Sequence, residues 1–262
     1  MADRLADRFD AIIVGAGQAG PGLATRLARS GRKTALIERS LFGGTCVNSG
    51  CTPTKTLVAS ARVAHVARGA SAYGVGVGGE VSVDMLKVKA RKDAVVEASR
   101  SGLEKWLRGT AGLTVIQGHA RFVGPRSLAV DGITYEAEQI FLNVGGRPSA
   151  PPIEGLASVP YLTSSTMMDV DFLPEHLVII GGSYIGLEFA QMYRRFGSQV
   201  TVVEMSPRII PREDPEISDA IRNALEQEGV SFHTGARCIA VRKDGSGIAL
   251  GVSCEGAAPT VR

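Results

Sequence analysis

The stretch DAIIVGAGQAGPGLATRLARSGRKTALIE, residues 10–38, returns later in the chain as LVIIGGSYIGLEFAQMYRRFGSQVTVVE, residues 177–204. Each copy runs from an apolar strand through a glycine turn into a helix, and a glycine ends that helix before a second apolar strand. An internal repeat of this kind predicts two copies of one βαβ unit. The copies align without a gap, so that Gly15 matches Gly181, Gly20 matches Gly186, Gly31 matches Gly197, and Glu38 matches Glu204.

The glycine turns indicate what the repeated unit binds. In each copy the turn follows a strand, opens a helix and is followed about 20 residues later by an acidic residue, the context that dinucleotide-binding turns require. Glycine has no Cβ, so the backbone can approach a pyrophosphate at the helix N-terminus. The alternative is that the glycines serve only helix–strand packing, but two occurrences in the same context favour nucleotide binding. The predicted phosphate-binding residues are Gly15, Gly17 and Gly20 in the first copy and Gly181, Gly182 and Gly186 in the second.

The glutamate that closes each copy predicts how an adenosine is held. The carboxylate of Glu38 or Glu204 can accept hydrogen bonds from both ribose hydroxyls and would repel a 2′-phosphate. Glu204 therefore favours NAD(H) over NADP(H), although Arg208 follows closely in the sequence and keeps NADP(H) open. Ser183 stands where the second turn would have its middle glycine, which weakens the match but still places a small residue there.

The segments between the copies complete the predicted architecture. Residues 84–108 carry apolar residues at helical spacing and predict a packing helix. Residues 113–144 alternate β-favouring segments with Gly-Pro and Asp-Gly turns, which predicts a small antiparallel meander, and residues 148–160 predict a linker rich in Pro, Gly and Ser. We therefore predict an α/β chain of two Rossmann-like dinucleotide-binding domains in three layers, residues 1–150 and 151–262.

Composition narrows the class of protein. The chain has 262 residues, of which 44% are hydrophobic, and a formal net charge of +3, which is too small to indicate nucleic-acid binding. The apolar run at residues 11–14 is too short for a signal peptide, and no stretch reaches the roughly 18 apolar residues of a membrane span. We expect a cytoplasmic protein with neither a nucleic acid nor a membrane as partner. In that reducing compartment the four cysteines need a role other than a structural disulfide framework.

Residues 43–55, GGTCVNSGCTPTK, contain two of those cysteines, Cys46 and Cys51, between glycines. Zinc would need two further clustered ligands, and Cys238 and Cys254 lie far away in the sequence, so a metal centre is disfavoured. Inert buried thiols are one alternative. The position of the motif, directly after the first nucleotide-binding unit, favours a reversible redox disulfide.

The cysteine motif resembles the active-site signature of the class I pyridine nucleotide-disulfide oxidoreductases, the family of dihydrolipoamide dehydrogenase, glutathione reductase and mercuric reductase. The resemblance covers nearly the whole chain, from the first glycine turn to the strand at Cys238. It implies that the N-terminal unit binds FAD and that the second unit binds the nicotinamide nucleotide. It also implies that electrons pass from the nicotinamide through FAD to a Cys46–Cys51 disulfide, and then to a small-molecule disulfide or a metal-ion substrate.

The same resemblance implies roles for single residues. Cys51 would be the cysteine nearest the flavin, and Cys46 the thiol that exchanges with substrate. Lys55 would reach the flavin and pair with Glu188, and its positive charge would favour the thiolate that exchange requires. A surface lysine and a solvated glutamate are the alternative. The other implied residues are Tyr184 as the gate on the nicotinamide side of the flavin, Gly44 and Thr45 beside the FAD pyrophosphate, Gly118 and Ala120 near its adenine, Gly145 in a second flavin-contacting turn, and Cys238 in the NAD adenine pocket.

The resemblance is incomplete at the C-terminal side. In the family a strand ending in Gly-Asp and an interface domain with a His-Glu pair follow, whereas here residues 230–233 and 238–242 predict strands ahead of a polar, glycine-rich tail. We therefore expect a C-terminally truncated chain with little activity alone, the alternative being a nucleotide-binding remnant without turnover. Full-length members of the family form homodimers through the interface domain, so the resemblance implies that this chain is monomeric or weakly associated. The motif is similar to mercuric-reductase-like members, but Ser49 replaces a common aliphatic residue, so the electron acceptor stays open.

Overall fold

The computed structural model describes residues 7–236, 238–245, 247–253 and 260–261, without the side chains at 238, 253, 260 and 261. The chain divides into two compact units, one formed by Met1–Pro53 and Lys92–Arg147 and the other by Thr54–Arg91 and Pro148–Arg262. The predicted boundary between the FAD-binding and NAD(P)-binding domains, after residue 150, stays a prediction, because the two compact units do not show which residues hold a cofactor.

The described part of the chain alternates strands and helices. No helix within it combines the length and the apolar character needed to cross a lipid bilayer. The strands are β1 (Asp7–Val14), β2 (Thr34–Glu38), β3 (Leu113–Gln117), β4 (Arg121–Gly124), β5 (Ser127–Val130), β6 (Ile133–Leu142), β7 (His176–Ile180), β8 (Gln199–Val203), β9 (Val230–His233), β10 (Cys238–Asp244), β11 (Gly247–Ser253) and β12 (Thr260–Val261). The helices are α1 (Ala19–Arg29), α2 (Gly44–Asn48), α3 (Cys51–Gly69), α4 (Met85–Arg108), α5 (Tyr184–Phe196) and α6 (Pro215–Gln227).

The first unit is built on one six-stranded sheet in the order β3-β2-β1-β6-β5-β4. The strands β3, β2, β1 and β6 run parallel, and Val14 at the end of β1 aligns with Ile37 on one side and Leu142 on the other. Parallel strands covered on both faces are apolar along their whole length. Ile12 and Ile13 are fully buried accordingly, which confirms the first predicted βαβ unit.

The predicted antiparallel meander over residues 113–144 is right in its middle and wrong at its start. Strands β4 and β5 pair antiparallel, and β5 pairs antiparallel with β6. Strand β3 instead pairs parallel with β2. Helix α4 lies between β2 and β3 in the chain, and a long helical connection returns the chain in the same strand direction.

The helix of each repeated unit begins earlier than the sequence pattern predicts. The apolar spacing suggests starts at Leu23 and Leu187, but α1 begins at Ala19 and α5 at Tyr184. In α1 the residue Pro21 lies in the first turn, where its fixed φ suits a helix and no intrahelical N–H is needed. The last glycine of each turn, Gly20 or Gly186, therefore lies in the first turn of its helix.

The second unit contains two smaller sheets. Strands β7, β8 and β9 form a parallel sheet that packs with α5, where Tyr193 and Phe196 are almost fully buried. Strands β10, β11 and β12 form an antiparallel sheet. Strand β11 lies in the predicted polar tail, and that prediction is wrong because Leu250 and Val252 are buried in the core of this unit.

The predicted linker at residues 148–160 is a packed part of the second unit. Glu154 forms an isolated bridge with Ala240 of β10, and Leu156 and Val159 are buried in the same cluster as Val241. The Pro and Gly content therefore marks an irregular segment that packs closely against β10.

Candidate active site

In the first glycine turn, Gly15 and Gly20 pack closely against backbone atoms, whereas Gly17 has open space beside it. Gly15 takes a positive φ of 107°, which residues with a side chain rarely adopt. A methyl group on Gly15 would overlap the carbonyl oxygen of Asn143, and one on Gly20 would overlap the carbonyl oxygen of Gly15. Nothing stands within 4 Å of the same position on Gly17. The turn thus leaves room for a phosphate group near the N-terminus of α1.

Glu38 is tied into the same turn. Its side chain is 8% exposed, and its Oε2 accepts a hydrogen bond from the Ala16 N–H while its Oε1 accepts one from the Ser40 N–H, each at 2.8 Å. A carboxylate offers about four acceptor positions, so two remain for ribose hydroxyls. The N–H of Gly118 donates to the carbonyl oxygen of Glu38 at 2.8 Å, which places Gly118 beside the end of β2.

The cysteine motif lies directly against this turn. The N–H of Gly43 donates to the carbonyl oxygen of Ala16 at 2.9 Å. A methyl group on Gly44 would stand 2.8 Å from the Cα atom of Gly17, so only glycine allows the two segments to pass this closely. Both Gly43 and Gly44 have a positive φ, of 94° and 58°. The glycines before Cys46 are therefore required by the fold of this unit.

Cys46 and Cys51 form a disulfide in the structure. Cys46 lies in α2 and is half-buried, whereas Cys51 is the first residue of α3 and is exposed. Their Cα atoms are 4.7 Å apart, within the range that a disulfide spans. A methyl group on Gly50 would come within 2.9 Å of the Thr45 carbonyl oxygen, so the glycine lets the loop close. The structure brings the predicted pair together.

The sequence reasoning missed Asn48, which lies between the two cysteines. Its Nδ2 donates to the carbonyl oxygens of Phe42 and Gly44, both at 2.9 Å, and its Oδ1 accepts from Nη1 of Arg100 at 3.4 Å. The place of Asn48 inside the motif is a signal that sequence reading could have used. The partner Arg100 carries no such signal, because it lies on α4, far along the chain.

The second glycine turn repeats the geometry of the first. Gly181 has a φ of 108°, and a methyl group on Gly186 would overlap the carbonyl oxygen of Gly181. The Oε2 of Glu204 accepts from the Gly182 N–H and its Oε1 from the Ser206 N–H, each at 2.7 Å. Each glutamate thus bonds to its own turn and to the residue two positions after itself.

The hydrogen bonds to Glu204 also affect its charge. Partial burial of the carboxyl group opposes ionisation, but the backbone N–H groups of Ser206 and Gly182 outweigh it and hold the pKa of Glu204 below its usual value of 4.5. The carboxylate is therefore charged at neutral pH and oriented by its backbone partners, as an acceptor for ribose hydroxyls must be.

Lys55 and Glu188 form an ion pair within the second unit. The side chains are 65% and 35% exposed, so solvent screens the attraction and the pair contributes little stability. Tyr184, the first residue of α5, is 70% exposed. The expected pairing of Lys55 with Glu188 is thus present, while the roles of these residues at a flavin stay predictions.

The remaining predicted residues are placed as follows. Thr45 is exposed in α2, Ala120 packs on the strand core of the first unit, and Gly145 has a φ of 67° with open space beside it. Cys238 begins β10, and its side chain lies outside the described residues. Within the described ranges no cluster of three or more His, Cys, Asp or Glu side chains could hold a metal ion.

A family model described as pyridine nucleotide-disulphide oxidoreductase matches residues 9–258. The chain belongs to this family. The mercuric reductase of Streptomyces lividans is 40% identical over 245 residues, which cover 92% of this chain and 52% of that protein. The dihydrolipoyl dehydrogenase of Thermus scotoductus is 35% identical over 242 residues, covering 92% and 51%.

A solved structure agrees with these relatives. The Cu(II) complex of the HOCl-induced flavoprotein disulfide reductase RclA from Escherichia coli superimposes with a TM-score of 0.82 at 34% identity, over 97% of this chain and 55% of that one. The chain spans about half the length of the relatives it matches. Membership of the pyridine nucleotide-disulphide oxidoreductase family, whose members contain FAD and use NAD(P)H, confirms the resemblance and the fold class inferred from the sequence.

Proposed function

We propose that this chain passes electrons from a reduced nicotinamide, through FAD, to the Cys46–Cys51 disulfide and on to a small-molecule disulfide or a metal ion. One observation carries the proposal. The loop that holds the disulfide is built onto the first glycine turn, through the Gly43–Ala16 hydrogen bond and the close contact of Gly44 with Gly17. A redox pair is thereby fixed beside backbone suited to a dinucleotide.

The residues present fit two nucleotides. The open space at Gly17 and the free acceptor positions of Glu38 suit the pyrophosphate and ribose of FAD. In the second turn Gly181 and Gly186 match Gly15 and Gly20, and the carboxylate of Glu204, held by the Gly182 N–H, suits the ribose of NAD(H). When bound, FAD would supply the two-electron transfer between nicotinamide and disulfide. Glu204 is ionised and would repel a 2′-phosphate, so NADH is the proposed donor.

The thiol chemistry follows from the two cysteines. Two electrons and two protons convert the disulfide into two thiols. The Cys46 thiolate attacks one sulfur of a substrate disulfide and expels the other as a thiolate; the Cys51 thiolate then attacks Cys46, expels the second substrate thiolate and restores the internal disulfide. Cys51 begins the 19-residue helix α3, where the helix dipole favours negative charge, and Lys55 lies one turn further along.

The proposed substrate classes rest on the relatives and on sulfur chemistry. The names of two relatives specify mercuric ion and a dihydrolipoyl group as their substrates. A reduced Cys46–Cys51 pair could exchange with a small disulfide or bind a soft metal ion, because thiolates are soft ligands. A cytoplasmic setting fits a disulfide that cycles, since stable structural disulfides are rare there.

Anaerobic titration of the FAD-reconstituted chain with NADH tests the proposal. The wild-type protein should consume two equivalents, one for FAD and one for the disulfide. The Cys46→Ser/Cys51→Ser double variant should consume one. Ser49→Ala, which changes the same loop and keeps both cysteines, should still consume two.

The flavin spectrum shows when FAD is reduced, and the NADH absorbance shows how many equivalents of NADH are consumed in the same experiment. Equal consumption by the wild-type protein and the double variant would exclude electron transfer to these cysteines. A chain that acquires no flavin would contradict the FAD assignment.

A further inference from the structure

The loop that carries the two cysteines is closed by a side chain. Helix α2 has five residues, and an isolated helix of that length is unstable because nucleation fixes several residues for few hydrogen bonds. Its own backbone provides the Ser49 N–H to Thr45 carbonyl bond at 2.9 Å. The amide of Asn48 adds two hydrogen bonds of the same length, to Phe42 and Gly44. Asn48 therefore ties the end of α2 to the first residue of the helix and to Phe42 before it.

The chemistry of its partners determines the orientation of the Asn48 amide. Carbonyl oxygens only accept hydrogen bonds, so Nδ2 must face Phe42 and Gly44, and a guanidinium only donates, so Oδ1 must face Arg100. The Arg100 side chain is 27% exposed and is itself held by an ion pair with Glu97, one turn earlier on α4. Arg100 thus holds the amide with its donors directed at the loop.

We propose that Asn48 and Arg100 are positioning residues that keep the reduced Cys46 and Cys51 thiols close together and so favour re-formation of their disulfide. This inference rests on the redox function proposed above. In the oxidised state the S–S bond itself closes the loop. After reduction the closure depends on hydrogen bonds, and the amide of Asn48 supplies two of them. A looser loop lowers the effective concentration of one thiol at the other and stabilises the dithiol.

A redox equilibrium of the full chain without flavin tests this directly. The protein is equilibrated with mixtures of reduced and oxidised dithiothreitol. The reduced reagent gives two electrons to the Cys46–Cys51 disulfide and is itself oxidised to a cyclic disulfide. Thiols are then trapped with a maleimide, and mass spectrometry of the peptide that contains Cys46 and Cys51 gives the oxidised fraction. For Asn48→Ala the equilibrium constant for disulfide formation should fall about tenfold, which is about 30 mV toward less reducing potential.

Variants of Arg100 separate positioning from a general loss of stability. Arg100→Gln should lower the constant by about threefold, since it removes one weak hydrogen bond to the amide. Arg100→Lys keeps a cationic donor and should return toward the wild-type value. Two control variants in the second unit should leave the equilibrium constant for disulfide formation unchanged. Asn223→Ala changes an exposed position on α6. Arg222→Gln removes an ion pair with Glu226 on the same helix, just as Arg100→Gln removes the ion pair with Glu97.

The outcomes distinguish this inference from the function it rests on. A wild-type disulfide that does not titrate reversibly would contradict the proposed function. Reversible titration with the same midpoint in Asn48→Ala and the wild-type protein would overturn the positioning role alone. If Asn48→Ala does not fold, Arg100→Gln decides, and a midpoint equal to that of Arg222→Gln overturns the role.

Discussion

Two glutamates, Glu38 and Glu204, accept equivalent hydrogen bonds in the two copies of the repeat. Each accepts one hydrogen bond from the glycine turn and one from the backbone two residues further on, Ser40 or Ser206. Their equivalence in the sequence predicted similar roles, and their hydrogen bonds now give the reason: the backbone orients each carboxylate. A change at one of these residues should therefore affect a single nucleotide.

Substituting Glu204 tests the choice of coenzyme. Glu204→Gln removes the charge that repels a 2′-phosphate and replaces one acceptor oxygen by a donor NH₂. Hydrogen bonds to charged groups are worth about 1.5–3 kcal/mol, so NADH affinity should fall by about tenfold or more. NADPH affinity should fall less or rise. Titration by nicotinamide fluorescence gives both dissociation constants. The exposed Glu213→Gln is the control, and an unchanged NADH to NADPH ratio in Glu204→Gln would refute the assignment.

At the scale of elements, α5 and α6 are joined by one partly buried charge cluster in the second unit. Glu228, directly after α6, accepts from Nε and Nη2 of Arg195 at 2.7 and 2.6 Å and from Nε2 of Gln191 at 2.8 Å. Burial opposes ionisation, but Arg195, Gln191 and the nearby His65 outweigh it and hold the pKa of Glu228 below its usual 4.5. The arrangement couples the end of α6 to the C-terminal half of α5.

This cluster predicts a pH dependence of stability. The pKa of Glu228 is lower in the folded than in the unfolded chain, so its contribution is complete above about 4.5 and is lost as pH falls through the folded value. Chemical unfolding followed from pH 7 to below pH 4 should show this loss in the wild-type protein and a shallower dependence in Glu228→Gln. Glu226→Gln, whose pair with Arg222 is exposed, should follow the wild-type curve. Parallel curves for all three proteins would rule out a role for Glu228.

At the scale of the whole molecule, the repeat predicts two sites that can be impaired one at a time. Gly20 and Gly186 are equivalent, and a methyl group on either would overlap the carbonyl oxygen of Gly15 or Gly181 within its own unit. Gly20→Ala should reduce FAD retention at least tenfold, since displacing the turn needs to cost only about 1.4 kcal/mol of binding free energy for a tenfold loss of affinity. It should leave NADH affinity within about twofold. Gly186→Ala should do the reverse.

Measuring both ligands on both variants completes this test. The flavin-to-protein absorbance ratio reports FAD, and NADH fluorescence reports the nicotinamide site. Gly17→Ala separates ligand contact from backbone distortion in the first unit. Its methyl group meets no protein atom within 4 Å, so it should lower FAD retention through contact with the phosphate alone. Loss of both ligands in Gly20→Ala, with an unchanged thermal midpoint, would contradict two separate sites.

Local pattern was sufficient for much of this protein. The repeat of strand, glycine turn and helix predicted both βαβ units, and the cysteine spacing with its flanking glycines predicted a pair that the structure joins. These features depend on neighbouring residues, so the sequence carries them directly. Helix α4, residues 85–108, was predicted for the same reason, because its apolar spacing is a property of one segment.

Tertiary structure alone decided the features that join distant segments. Strand β3 pairs with β2 rather than with the meander, and β11 pairs with β10. Arg100 donates a hydrogen bond to Asn48, which lies 52 residues earlier in the chain. The physical reason is that pairing and burial depend on which distant segments come together, and no local pattern records that choice. The sequence by itself thus determined the two repeated units and the cysteine pair, while the folded chain decided how the loop between Cys46 and Cys51 is held.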